Sequence, residues 1–237
     1  MHLKNKIIHK LMPPPVQVRH SEYSMLFSMD DDISQPSRYL IELALKAIHN
    51  AMEVSLDDIS ARMKNPPYYP NIWPGEHYKL LAGLVLALKP KTIVEIGTAS
   101  GLSALSMKKY LPQDSKIVTF DIIHWKSYPD AVLEDNDFKD GRLFQYIDDL
   151  SKPSVSSKYL QLLREANMIF IDAAKDGNME QRFLEEFKTV AFHTKPVIVF
   201  DDIRLWNMLK IWRYISLPKI DLTSFGHWSG TGLVHWE

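Results

Sequence analysis

The second part of the chain alternates short apolar runs with stretches of helical spacing. From residue 91 onward, continuous apolar runs are each bounded by turn or acidic residues, a pattern typical of strands buried in a parallel sheet. We predict strands at 92–96, 116–120, 143–147, 168–171, 197–200, 220–225 and 232–236, and crossover helices at 102–110, 154–166 and 179–192. The pattern therefore predicts an α/β fold, a Rossmann-like seven-stranded and mostly parallel sheet with helices on both faces.

The first ninety residues have a helical and irregular pattern instead. Apolar positions recur at helical spacing in three segments, 36–52, 55–63 and 76–88. A loop rich in proline and aromatic residues lies at 66–75, and a basic N-terminal stretch precedes three consecutive prolines. We divide the chain into 1–77, an N-terminal arm with helices and a lid-like loop, and 78–237, the α/β domain. We expect the two to form a single structural unit.

Composition narrows the classes of function. The chain has 28 Lys+Arg and 29 Asp+Glu, so its charge gives no reason to expect binding to nucleic acid or anionic membranes. Because it has no cysteine, disulfides, thiolate metal sites and a cysteine nucleophile are excluded. The longest apolar run, 80–88, is much shorter than the ~20 residues that a membrane-spanning helix needs. We expect a cytoplasmic protein that binds neither membranes nor nucleic acid.

Acidic residues follow four of the predicted strands directly. These residues are Asp121, Asp148, Asp172 and Asp201. Ligands of open α/β sheets bind at the carboxyl ends of the strands, where these side chains would converge on one crevice. A single aspartate at such a place can equally cap the next helix, so both interpretations stay open for each one alone.

The turn after the first strand is rich in glycine. Gly97 and Gly101 allow a sharp strand-to-helix turn, whose free N–H groups attract an anion. Ala99 stands where a dinucleotide-binding turn has glycine, which argues against NAD as the ligand. Glu95 is placed to accept hydrogen bonds from ribose hydroxyls or from an amino group of the ligand, and Asp121 to bind a ribose diol.

A second group of acidic residues follows the ends of two predicted strands. Asp172, Asp201 and Asp202 are hard oxygen ligands suited to Mg²⁺, and also to Ca²⁺ or Mn²⁺. Lys175 follows Asp172 by three residues, and a bound divalent cation would lower its pKa so that it could act as a general base. The alternatives are a helix-capping role for Asp201 or Asp202 and an ordinary solvated lysine.

Three segments together resemble the motifs of a known family. The runs 94–105 (VEIGTASGLSAL), 170–176 (FIDAAKD) and 199–206 (VFDDIRLW) are similar, in order and spacing, to those of class I S-adenosylmethionine-dependent O-methyltransferases. The resemblance covers residues 78–236. It is to the cation-dependent catechol and caffeoyl-coenzyme A O-methyltransferases in particular, together with bacterial relatives.

The resemblance implies transfer of a methyl group from S-adenosylmethionine to a hydroxyl of a small-molecule acceptor, in a protein that forms a homodimer. It implies that residues 78–237 are the cofactor-binding domain and that the following residues bind the cofactor: Glu95, Gly97, Thr98, Ser100, Gly101, Ser103, Asp121 and Asp148. Asp172, Asp201 and Asp202 match the ligands of the Mg²⁺ or other divalent cation, and Lys175 matches the general base.

Two features differ from the plant and animal enzymes. Asp202 stands where those usually have asparagine, and the ending 226–233 (GHWSGTGL) is unlike theirs. His227 in this ending is an alternative base, whereas the other histidines have no metal-ligand spacing. The loop 68–73 and the N-terminal arm are candidates for a lid. Six aromatic residues are candidates for the acceptor pocket: Tyr68, Tyr69, Trp73, Trp125, Trp206 and Trp228. For any single one of them, packing in the core or in an interface is the favoured alternative.

Two other functions are alternatives. A short-chain NAD(P)-dependent oxidoreductase shares the sheet, but it needs a tyrosine followed four residues later by lysine, which no tyrosine here has. A noncatalytic module that keeps the fold to bind a partner would not need the three aspartates and the lysine. Both observations favour the methyltransferase.

Overall fold

The computed structural model describes residues 34–237, apart from the side chain of Trp206, so the predicted N-terminal arm lies outside the described residues. Seven strands form one sheet: β1 (Thr92–Ile96), β2 (Lys116–Asp121), β3 (Leu143–Ile147), β4 (Met168–Ile171), β5 (Val197–Asp201), β6 (Lys219–Asp221) and β7 (Thr231–His235). Their order is β3-β2-β1-β4-β5-β7-β6. Strands β1 to β5 pair in parallel, and β7 runs antiparallel to β5 and β6. The predicted fold class is confirmed.

Helices connect the strands and cover the sheet. They are α1 (Arg38–Glu53), α2 (Asp57–Ser60), α3 (Tyr78–Leu88), α4 (Leu102–Tyr110), α5 (Pro153–Lys158), α6 (Leu160–Glu165), α7 (Asn178–Lys188) and α8 (Trp206–Tyr214). The single helix predicted at 154–166 is two short ones, because Tyr159 between them leaves the helical conformation and packs its ring against Phe120. The predicted strand 220–225 is also shorter, because the Asp221 carboxylate binds Thr223 and the chain turns there.

The sheet is packed on both faces. One face contacts α1, α3 and α4 through residues such as Leu40 and Leu81, and the other contacts α6, α7 and α8 through residues such as Phe187 and Trp212. Every residue of β1, β4 and β5 is buried as a result. These three central strands carry the turns that form the site described below.

Strand β3 is different because it lies at the edge of the sheet. Phe144, Tyr146 and Ile147 are all exposed by more than a third of their surface. The prediction that all the strands are buried on both faces is therefore wrong for β3. Its apolar sequence resembles that of the central strands, but it has a neighbouring strand on one side only.

Helices α1 and α3 approach each other closely at Gly83. A Cβ atom at Gly83 would lie 2.2 Å from the carbonyl oxygen of Ala47, and the Asn50 side-chain amide donates to the Gly83 carbonyl oxygen at 3.1 Å. Helix α1 thus shares one core with the sheet, while the domain division at residue 77 stays a prediction. Between residues 34 and 237, no helix combines the length and apolar character needed to cross a membrane.

Candidate active site

The turn after β1 passes directly against the end of β4. Gly97 has a φ of +103°, and a Cβ atom there would lie 1.9 Å from the carbonyl oxygen of Asp172. The Asp172 N–H in turn donates to the carbonyl oxygen of Ile96 at 2.8 Å. Only glycine can combine this conformation with so close a contact, so the two predicted motifs are held side by side by backbone packing.

Asp121 at the end of β2 fixes the conformation of the same turn. One of its carboxylate oxygens accepts from the Thr98 N–H at 3.0 Å and from the Ala99 N–H at 2.9 Å, and the other accepts from the Ile123 N–H at 3.0 Å. The two glycines of this turn predict free N–H groups. That prediction is wrong for Thr98 and Ala99, because the Asp121 carboxylate binds the N–H groups of both.

A cleft of about 400 Å³ opens in front of this turn. Three of the predicted cofactor-binding residues line it: Gly97, Asp121 and Asp148. The Asp148 carboxylate accepts hydrogen bonds from Lys158 at 2.8 Å and from the Tyr159 hydroxyl. The sequence analysis did not single out the other wall of the cleft, which includes Tyr128, Met179 and Phe183.

The other five predicted cofactor-binding residues are not among those that line the cleft. The Thr98 hydroxyl pairs with the Thr119 hydroxyl at 2.7 Å in the interior, and Ser103 is also buried. The Ser100 carbonyl oxygen accepts from Val132 N–H, and a Cβ atom at Gly101 would collide with Leu133. These residues hold the turn in place and do not line the cleft.

Glu95, the fifth of these residues, is fully buried on β1. Neither of its carboxylate oxygens has a partner within residues 34–237 in good hydrogen-bond geometry, although the hydroxyls of Ser103 and Thr119 lie near enough to offset part of the effect of burial. Because burial penalises the charged form, the pKa of Glu95 is raised to about 7.

The second acidic group converges on one lysine. The Lys175 ammonium lies 2.8 Å from Asp172 Oδ1 and 3.0 Å from Asp201 Oδ2, and it also contacts Asp202. Lys175 and Asp202 both have left-handed backbone conformations, with φ values of 58° and 60°. The three aspartates present ligand atoms that all lie within 4.8 Å of one another. The structure thus brings the predicted metal ligands and the predicted base together.

The charges of this group are strongly coupled. Burial raises the pKa of Asp172, and the nearby charge of Asp201 raises it further. Although burial opposes ionisation, the charge of His77 and hydrogen bonds from His227 and His77 keep the pKa of Asp201 well below its usual range. Burial also disfavours the Lys175 ammonium, but Asp172 and Asp201 outweigh it and raise the pKa of Lys175. Lys175 therefore acts as the counter-charge of the aspartates.

Two histidines complete the group on the other side of Asp201. His77 Nδ1 and His227 Nδ1 each lie 3.1 Å from Asp201 Oδ1, and His227 Nδ1 also lies 3.2 Å from Asp202 Oδ1. The Ser229 hydroxyl contacts both Asp202 and His227. His77 belongs to the group although the spacing of the histidines along the sequence gives no signal for it, because it stands at the start of α3 and 124 positions before Asp201.

Comparison with known proteins identifies the family of this chain. A family model described as O-methyltransferase matches residues 59–209, which is more than half of the chain. The chain belongs to the O-methyltransferase family. The resemblance to the S-adenosylmethionine-dependent enzymes is confirmed by this match, and the protein is an O-methyltransferase of that class. No curated protein matches its sequence at a significant level.

Solved structures share the fold of this O-methyltransferase. A methyltransferase from Geobacter sulfurreducens is 16% identical with a TM-score of 0.53, and the match covers 81% of this chain and 97% of that one. A provisionally named caffeoyl-CoA O-methyltransferase from Staphylococcus aureus is also 16% identical, with a TM-score of 0.52 and coverage of 84% and 98%. At this identity the likeness shows the fold alone.

Two loops of the O-methyltransferase are joined above the acidic group. The Gly75 N–H donates to the Gly226 carbonyl oxygen at 3.1 Å, and the Trp228 N–H donates to the Gly75 carbonyl oxygen at 2.9 Å. The Trp73 indole N–H donates to the Phe225 carbonyl oxygen at 2.7 Å. Residues 73–75 and 225–228 therefore form one rim, from which the Trp228 side chain projects with 72% of its surface exposed.

Of the aromatic residues that are candidates for the acceptor pocket, Trp73 and Trp228 belong to this rim. Tyr68 and Tyr69 are exposed in the preceding loop. Trp125 is buried and stacks on Phe138, as the alternative of core packing predicts. The side chain of Trp206 lies outside the described residues.

Proposed function

We propose that this O-methyltransferase transfers the methyl group of S-adenosylmethionine to a hydroxyl group of a small-molecule acceptor, assisted by a divalent cation such as Mg²⁺. The observation that carries the proposal is the convergence of Asp172, Asp201 and Asp202, whose ligand atoms lie within 4.8 Å of one another. Asp172 also lines the cleft in front of the β1 turn. A cofactor in the cleft and a cation in the acidic group would therefore be neighbours.

The cleft supports a nucleoside-bearing cofactor. Its volume of about 400 Å³ is in the usual range for a small-molecule site. We assign Asp121 to the ribose and Asp148 to the region of the adenine, while Gly97 lets the cofactor approach the backbone. The remaining predicted residues are assigned to ordering the turn and its surroundings: Glu95, Thr98, Ser100, Gly101 and Ser103. S-adenosylmethionine supplies an electrophilic methyl group when bound.

The acidic group fits a divalent cation. Carboxylate oxygens are the ligands that Mg²⁺ prefers, and three crowded carboxylates need a counter-charge. Asp172, Asp201 and Asp202 would hold the ion, which lowers the pKa of an acceptor hydroxyl when bound. Lys175 adjoins all three carboxylates, and a bound cation would replace its ammonium as their counter-charge and lower its pKa. Lys175 is then proposed, in its neutral form, to take the proton of that hydroxyl. His227 is the alternative base.

The base is tested by comparing two variants. Lys175→Met is expected to lower kcat by about 100-fold or more while the affinity for S-adenosylhomocysteine changes little, because general-base catalysis contributes about that factor. His227→Gln is expected to have the smaller effect on kcat. The opposite order of the two effects would transfer the role of base to His227.

The proposal as a whole is tested by calorimetric titration of the metal-stripped protein with S-adenosylhomocysteine, with and without Mg²⁺. Micromolar binding, about −8 kcal/mol or better, and a further heat change on adding Mg²⁺ are expected. In the Asp172→Asn variant, we expect no further heat change when Mg²⁺ is added. Asp176→Asn is the matched control, since this exposed aspartate on the same loop only binds backbone N–H groups of α7. Absence of binding, or equal behaviour of the two variants, would overturn the proposal.

Methyl transfer itself is tested with a panel of catechols, simple phenols and sugars. Formation of S-adenosylhomocysteine with one hydroxyl acceptor and not with its methyl ether would identify the acceptor class. A homodimer and a cytoplasmic location are further parts of the proposal, and sedimentation of the full-length chain over a range of concentrations tests the dimer.

A further inference from the structure

The two oxygens of Asp201 differ in their partners. Asp201 Oδ2 lies 3.0 Å from the Lys175 ammonium, among the carboxylates of the second acidic group, and 3.2 Å from His227 Nδ1. Asp201 Oδ1 lies 3.1 Å from His77 Nδ1 and 3.1 Å from His227 Nδ1. Oδ1 is therefore the oxygen that both histidine nitrogens reach.

The separations around Oδ1 fit ligands of one metal ion. The ligand atoms of His77, Asp201 and His227 all lie within 4.8 Å of one another. Two ligands that each lie about 2.0–2.2 Å from an ion, at tetrahedral or octahedral angles, are roughly 2.9–3.5 Å apart. The two nitrogen–oxygen distances of 3.1 Å fall within that interval.

The surroundings of the two rings fit an enclosed site. His77 is 3% exposed, so its Nδ1 atom is shielded from solvent. The other nitrogen of His227 lies 3.8 Å from Glu76 Oε2, which is longer than a hydrogen bond, so Glu76 supplies a nearby negative charge that favours a cation. An ion that binds here would displace the protons through which the two histidines contact Asp201.

We propose that His77, Asp201 and His227 form a second cation site, which takes a first-row transition metal such as Mn²⁺, Fe²⁺, Co²⁺ or Zn²⁺ in preference to Mg²⁺. Imidazole nitrogen suits these ions, whereas Mg²⁺ is bound by oxygen. The site goes beyond the proposed function. It shares only Asp201 with the acidic group, so each of the two can fail without the other.

Pulsed electron paramagnetic resonance of Mn²⁺ bound to the metal-stripped, full-length protein tests the site. The spectrum is expected to contain ¹⁴N couplings of imidazole. These couplings should disappear in the double variant His77→Gln/His227→Gln and persist in Asp172→Asn, which alters the acidic group only. Wild-type spectra without nitrogen coupling would overturn the proposal, and so would couplings that persist in the double variant.

A competition titration of Zn²⁺ against a chromophoric chelator gives the affinity. Loss of an outer partner of a metal ligand already costs about 10–100-fold, so His227→Gln should weaken Zn²⁺ binding by at least about 100-fold. His49→Gln, an exposed histidine on α1, is the matched control and should bind as the wild type does. Circular dichroism shows whether the variant of the buried His77 folds. If it does not fold, the His227→Gln variant alone tests the proposal, and an unchanged Zn²⁺ affinity of that variant would overturn it. Calorimetric titration with S-adenosylhomocysteine tests the proposed function separately. Failure of the proposed function can therefore be distinguished from failure of the second cation site.

Discussion

Glu95 is an acid whose surroundings oppose its charge. It is fully buried, and its pKa is raised from 4.5 to about 7 by burial. Between those pH values the folded protein keeps a proton that the unfolded chain releases. The contribution of Glu95 to the free energy of unfolding therefore falls as the pH rises through this interval.

Replacement of Glu95 by glutamine removes that titration. The free energy of unfolding of the wild type, relative to Glu95→Gln, is expected to fall by about 3 kcal/mol between pH 4.5 and pH 7.5. Urea denaturation at the two pH values measures this difference. Glu53→Gln, an exposed glutamate on α1, should give a difference that does not depend on pH. A pH-independent difference for Glu95→Gln as well would contradict the raised pKa.

The positions of the acidic residues that directly follow a strand are predictable from the sequence. A parallel sheet puts the carboxyl ends of its strands at one edge, so the convergence of Asp172, Asp201 and Asp202 follows from the strand pattern. His77 could not be found in this way. It begins a helix 124 positions before Asp201, and no local pattern connects the two.

At the scale of elements, Gly97 decides how β1 and β4 fit together. Gly97→Ala is expected to lower the free energy of unfolding by at least about 3 kcal/mol and to abolish binding of S-adenosylhomocysteine, because the new Cβ atom would collide with the Asp172 carbonyl oxygen. Gly141→Ala is the matched control. Gly141 also has a positive φ, 69°, but no atom of residues 34–237 beyond its chain neighbours lies within 4 Å of the added Cβ, so a loss of about 1–2 kcal/mol is expected. Equal losses in urea denaturation would contradict the collision.

Gly83 should respond to alanine with the opposite sign to most glycines in helices. Glycine to alanine in a helix normally stabilises a protein by about 1 kcal/mol. In Gly83→Ala the added Cβ atom would lie 2.2 Å from the Ala47 carbonyl oxygen and would push α1 away from α3. We expect a loss of about 2–3 kcal/mol, measured by urea denaturation. Stabilisation by the variant would mean that the two helices separate without cost.

The elements themselves were predictable to different degrees. The continuous apolar runs of β1, β4 and β5 predict strands because both faces of these strands are covered by helices. The exposure of β3 could not be predicted, since it depends on the order of strands in the sheet and not on the strand's own residues. The break at Tyr159 is likewise set by a tertiary contact, the packing of its ring on Phe120.

At the scale of the whole molecule, the rim joins segments from the two ends of the described chain. Trp73→Phe removes the indole hydrogen bond to the Phe225 carbonyl oxygen. We place the acceptor beside the rim, because His227 of the rim contacts Asp201 of the acidic group. Loosening the rim is then expected to raise KM for the acceptor by up to roughly 5-fold, since one hydrogen bond contributes about 1 kcal/mol. The affinity for S-adenosylhomocysteine is expected to stay the same, because Trp73 is not among the residues that line the cleft. An equal change in KM for the acceptor and in the affinity for S-adenosylhomocysteine would contradict a role of Trp73 that is confined to the rim.

The rim also has a consequence for the order of folding. Trp73 and Phe225 are 152 positions apart, and His77 and Asp201 are 124 positions apart. Closing such long loops is entropically costly until the strands between them have paired. We therefore expect the acidic group and its two histidines to assemble in the last step, so that during refolding the regain of methyl transfer lags behind the regain of secondary structure.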